Sequence, residues 1–164
     1  MTGSIFSGLA LFLSVILSGL YAGTGFFVAM GGNPAIKKMT DRTFAEYWQH
    51  TDHFMAARMK IFGPLLLLCM LLALFVLLKE YRSASFWCML TACCIIITDI
   101  IFTLSANYPL NGIVQSWDLN NLPADVQTIK WRIVKAFNVR TVFMISSFVM
   151  AVLAIWLHRN TQYL

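Results

Sequence analysis

Four apolar runs dominate the chain: Ile5–Met30, Ile61–Leu78, Ala84–Ala106 and Thr141–Leu157. Each reaches the roughly 17–25 residues that a helix needs to cross a bilayer. Helix is the expected conformation, because lipid offers no partner to an unpaired backbone N–H or C=O. The polar stretches between the runs are unequal. "KEYRS" is tight, whereas residues 31–60 and 107–140 are long. Neither long stretch reads as disordered. "DRTFAEYWQHTDHFMAARMK" opens on Asp41 at a cap position and continues with an amphipathic, aromatic-rich pattern. It predicts a helix entering the second span, with Pro64 as the site of a kink. "NLPADVQTIKWRIVKAFNVR" has Asn121 as a cap and Pro123 in the first turn, and predicts a helix continuous with the fourth span. The expected fold is an all-α membrane protein. It is a four-transmembrane-helix bundle in one domain, residues 1–164, with helices 2 and 4 extended beyond the bilayer on one side.

Composition agrees with this class. The hydrophobic fraction is 59% and the charged fraction 12%, against roughly 45–50% and 25% in soluble domains. A chain of 164 residues could not hide so much apolar surface from water. The net charge of +5 does not point to nucleic acid, since the cations flank apolar spans and meet lipid headgroups. Nine of them, from Lys37 to Lys60 and from Lys130 to Arg140, fall on the side of the long connections; Lys79, Arg82 and Arg159 fall on the other. Positive-inside counting therefore puts the loop-rich side of a multi-pass protein in the cytoplasm. "MTGSIFSG" lacks the positive region of a secretory signal, so the first run is read as structure. The expected partners are the bilayer and a lipophilic small molecule, and a homo-oligomer is compatible with the pattern. Cys69, Cys88, Cys93 and Cys94 lie within apolar spans without C-x-x-C spacing and read as small core residues.

Few residues inside this frame can carry chemistry. Asp99 is a carboxylate within a span, and Arg140 lies where it could reach it. The pair reads equally as a packing device. Glu46, His50 and His53 recur at i, i+4 and i+7, on one helical face. That spacing suits a metal or haem ligand set, a carboxylate-oriented imidazole base, or a solvated face. Gly19 and Gly23 form a small-xxx-small pair that suits close helix packing. "SANYPLNGIVQSW" leaves the third span without a charge. It is expected as a stiff, irregular pocket wall in which Asn107 and Asn111 aim hydrogen bonds.

"LYAGTGFF", "DHFMAARMKIFGP", "NYPLNGIVQSW" and "WRIVKAFNVRT", in that order, resemble the small four-span anthrone-oxygenase-like membrane family. The similarity runs from about Ser18 to Val149. Its most specific part is Pro109-x-Asn111, followed by Trp117 and by the Arg140–Thr141 pair that opens span four. The resemblance implies an oxygenase that needs no cofactor and turns an anthrone into an anthraquinone, with O₂ as co-substrate. Arg58, Asn107, Pro109, Asn111, Trp117 and Arg140 fit its pattern. It also implies a histidine shortly before the Arg-Thr, where this chain has Asn138. The expected site therefore has His50 or His53 as base and Arg58 and Arg140 as anion-stabilising cations. Asn107, Asn111, Trp117, Asn138 and Asp99 would line the substrate. A non-enzymatic binding or helper subunit, and a metal or haem protein using His50, His53 and Glu46, remain open alternatives.

Overall fold

The computed structural model describes residues 2–161, and side chains from residue 7 to residue 159. Residue 1 and residues 162–164, the ends of the expected single domain, lie outside the described residues. The chain is all-helical, with no strand among the described residues. Helix α1 (Thr2–Phe27) passes through a π-helical turn, Val28–Gly32, into α2 (Asn33–Lys38). Helix α3 runs unbroken from Asp41 to Leu77. After the Leu78–Glu80 turn come α4 (Ala84–Phe102), a second π turn (Thr103–Asn107) and α5 (Tyr108–Gln115). Helix α6 spans Val126–Thr161. Four helical stretches are long and apolar enough to cross a membrane: 7–38, 41–80, 84–115 and 126–159. The bundle turns large apolar side chains outward, among them Ile61, Phe75 and Leu104, each more than 60% exposed. In a protein of this class that surface faces lipid.

The extensions of the second and fourth spanning helices are present, as α3 and α6. The first and third are prolonged too. The segment Ser105–Trp117 is therefore mostly helix, not the irregular wall expected from its asparagines and proline. The π turns explain how a proline-bearing stretch stays helical. Each turn immediately precedes a proline-led helix, with Pro34 and Pro109 in the first turns of α2 and α5. Proline cannot donate to the preceding turn and its ring crowds the carbonyl four residues back. A widened turn relieves that crowding. In it the N–H of Asn33 bonds the Val28 carbonyl, and that of Tyr108 bonds the Thr103 carbonyl. Two expected caps are also displaced. Thr40, with extended backbone, caps α3 by accepting from the Thr43 N–H at 3.3 Å. Asp41 instead sits in the first turn, where its charge suits the helix dipole. Asn121 is held in a turn by the Asp118 carbonyl, and the first α6 bond is accepted by Asp125.

Small residues bring the spans together. Ser85 and Ser147 donate across the α4–α6 interface to the carbonyls of Ala154 and Ala92, at 2.6 and 3.1 Å. Close packing and interhelical hydrogen bonds drive association in lipid, where the hydrophobic effect is absent. Between α1 and α6 the tight contacts are at Gly19 and Gly25, not at the expected Gly19–Gly23 pair. A Cβ on Gly19 would lie 3.1 Å from Phe148, and one on Gly25 would lie 3.4 Å from the Thr141 Cα. A Cβ on Gly23 would meet nothing within 4 Å.

Two apolar cores form along the bundle. The lower one gathers Leu66, Met70, Ala73, Met89, Ile96 and Met144 within the spans. The upper one gathers Ile36, Phe44, Trp48, Leu110, Val114 and Ile133 from α2, α5 and the N-terminal halves of α3 and α6. The loop-rich side is thus a folded cap with its own core. On α4–α5 and on α6, the buried residues between the two cores include Asp99, Asn107 and Thr141, all polar.

Candidate active site

Tyr21, Asp99 and Arg140 meet in that polar layer. Each is placed by the element it rides on. Tyr21 lies between Gly19 and Gly25, where α1 packs tightly on α6. Arg140 precedes Thr141, whose hydroxyl donates to the Gly25 carbonyl at 3.1 Å and locks the two helices in register. Asp99, fully buried, projects from α4. Arg140 Nε donates to Asp99 Oδ1 at 3.2 Å, and Arg140 Nη2 donates to the Tyr21 hydroxyl at 2.8 Å. The Tyr21 hydroxyl donates in turn to Asp99 Oδ2. The phenol is therefore the hub of a closed three-residue ring. Burying two opposite charges is costly unless they are paired and their remaining sites are filled, and Tyr21 fills one site on each partner. Phe137 lies against the Arg140 guanidinium and Phe62 beside the Tyr21 ring, at 5.2 and 6.2 Å between centres.

Above Asp99, on the same helical run, the polar positions continue every fourth residue: Thr103, Asn107, Asn111 and Gln115. Thr103 Oγ1 and Asn107 Oδ1 are buried and have no hydrogen-bond partner. Buried polar atoms in folded proteins are rarely left so. Asn107 is only 2% exposed, so its acceptor capacity is directed into the protein. Further up, polar groups are satisfied. Asn111 accepts from Trp48 Nε1 at 3.2 Å and donates to Asp52, while Gln115 donates to Asp52 at 3.2 Å and to the Gln49 carbonyl at 3.0 Å. This network fastens α5 to α3.

The expected site residues separate into two groups. Asp99, Arg140 and Asn107 come together in the polar layer. Asn111 and Trp117 belong to the cap: Asn111 holds the Asp52 network, and Trp117 packs edge-on against Phe44. Asn138 is exposed, and its side-chain oxygen accepts from Asn33 at 2.7 Å. Arg58 is also exposed. It donates to the Phe54 carbonyl and lies over the Phe54 ring, so it does not join Arg140. Glu46, His50 and His53 lie on the exposed side of α3, whose inward side carries Phe44, Ala45 and Trp48. Among the described residues no three His, Cys, Asp or Glu side chains form a group able to hold a metal. Glu46, His50 and His53 are all exposed there, apart from the Tyr21–Asp99–Arg140 cluster. Asp52 and Thr103 were not singled out by the sequence pattern. The fourfold spacing from Asp99 to Gln115 was the available signal for Thr103.

Residues 52–150 match the profile of the anthrone oxygenase family. The chain belongs to the anthrone oxygenase family. The matched region takes in α3 from Asp52, the whole of α4 and α5, and α6 as far as Met150, so it includes Asp99 and Arg140. No curated protein and no solved structure matches the chain.

Proposed function

We propose that the protein oxidises a lipophilic, phenolic, anthrone-like molecule with O₂ in the polar layer between the two cores, without a resident cofactor. The observation that carries this reading is the buried Tyr21–Asp99–Arg140 ring next to the unpaired acceptors of Thr103 and Asn107. Such a site offers a proton acceptor, a fixed cation and open hydrogen-bonding capacity. The substrate reacts as its enol. A hydroxyl donates to Asn107 Oδ1, while the enol O–H gives its proton to the Tyr21 oxygen. Tyr21 passes its own proton to Asp99. Arg140 then stabilises the resulting aryl-oxide anion. The anion's ring carbon forms a C–O bond with O₂, which is reduced to a peroxide. The peroxide takes back the proton held on Asp99, through Tyr21, and the resulting hydroperoxide loses water, by loss of the ring C–H and cleavage of O–O, to give the quinone. The net change is anthrone plus O₂ to anthraquinone plus water.

In this reading Asp99 replaces His50 or His53 as base, and Arg58 has no part. The loop-rich side faces the cytoplasm, on the nine-to-three distribution of cations. The test is direct. Protein purified in mild detergent and supplied with an anthrone consumes one O₂ per quinone formed, and Asp99→Asn abolishes the excess over buffer. Quinone formation no faster than in buffer would sink the proposal.

A further inference from the structure

A groove of about 470 Å³ opens between α2 and α6 on the cap side, away from the polar layer. Lys37, Arg132 and Lys135 line it, with Thr128, Asn138, Trp131 and Val134. All three cations are exposed. Among the described residues the ion pairs are Arg140 with Asp99 and His158 with Glu80, so none of the groove's cations has a carboxylate partner. Lys37 is positioned instead by the face of Trp131, 5.1 Å from the ring centre. The Asn138 side-chain oxygen is already engaged by Asn33, which leaves its amide as a donor. The groove thus collects cations and donors, an apolar wall and no acid. That is the complement of an anion with an apolar body.

Its height along the bundle identifies the anion's source. Thr141 opens the apolar run of α6. At about 1.5 Å rise per residue, Asn138 and Lys135 stand about 4.5 and 9 Å above it. The polar headgroup layer occupies roughly 5–8 Å on each side of the hydrocarbon. The foot of the groove is therefore level with lipid phosphates, while Val134 and the half-exposed Trp131 face the groove as its apolar wall. We propose that the α2–α6 groove, through Lys37, Arg132, Lys135 and Asn138, binds the phosphate of an anionic membrane lipid.

The experiment is native mass spectrometry of the full chain released from neutral detergent containing phosphatidylglycerol or phosphatidylcholine. The wild type retains phosphatidylglycerol about thirtyfold more than phosphatidylcholine, as two basic contacts of about 1 kcal/mol each supply. Arg132→Gln with Lys135→Gln removes that preference, and Arg132→Lys with Lys135→Arg keeps it. Lys79→Gln with Arg82→Gln, on the opposite side of the bundle, also keeps it. Should the neutralised pair not fold, Lys37→Gln is read in its place. A preference that survives neutralisation overturns the proposal. So does loss of the preference on adding millimolar inorganic phosphate, which would make the ligand a free phosphate.

Discussion

Arg140 and Asp99, 41 residues apart in sequence, form an ion pair at 3.2 Å between α6 and α4, with Asp99 fully buried. The third member, Tyr21, bonds to both, so two charges sit inside the bundle with their strongest hydrogen-bonding sites occupied. This arrangement ties α1, α4 and α6 together at one level, and in the proposed reaction it supplies the acid and the base.

Removing one partner of the pair strands the other in a dry environment. Arg140→Ala should cost about 3–5 kcal/mol of stability. Replacing both, as in Asp99→Leu with Arg140→Leu, should cost clearly less, because no charge remains buried. Thermal unfolding in detergent measures both. Equal losses in the single and double variants would show that the pair does not act as a unit.

Asn107 separates stability from function. Its buried, unpaired side-chain oxygen is a liability for the fold. Asn107→Leu should therefore leave the melting temperature unchanged or raise it, by up to about 1–3 kcal/mol in stability. Oxidation of an anthrone should fall about tenfold, the value of one lost hydrogen bond to substrate. A destabilised variant with full activity would contradict the role given to Asn107.

The α1–α6 contact makes a graded prediction. Gly23→Ala meets open space and should change stability by less than about 0.5 kcal/mol, or raise it through helix propensity. Gly25→Val should cost about 1–3 kcal/mol, because a side chain there presses on Met144 and on the Thr141 backbone. It should also lower activity by moving Tyr21 from Arg140. Comparable melting temperatures for the two variants would refute this packing.

His50→Ala and His53→Ala test the choice of base. Both side chains are exposed on α3, outside the Tyr21–Asp99–Arg140 ring. Each variant should keep quinone formation within about twofold of wild type, a difference below 0.5 kcal/mol in barrier. Loss of turnover in either would return the base to α3.

The four-span bundle is legible in one dimension. Long apolar runs can meet the backbone's hydrogen-bonding needs in lipid as helices, so four spans were legible, as was the helical character of the stretches before the second and fourth. Asp99 and Arg140 also stood out, because charge at that depth is expensive enough to be conspicuous in one dimension. Tertiary structure decided the rest. Local turn chemistry suggested a loop at Ser105–Trp117, but the π turn at Thr103–Asn107 absorbs Pro109 and keeps the run helical. The i, i+4, i+7 pattern of Glu46, His50 and His53 states that three residues share a face, yet cannot state which way that face points; packing of Phe44 and Trp48 turns it outward. Tyr21 became a partner of Asp99 only through the approach of α1 to α6 at Gly25. Spacing along one helix fixes neighbours on that helix, whereas a buried charge is satisfied by whatever another helix brings to the same depth.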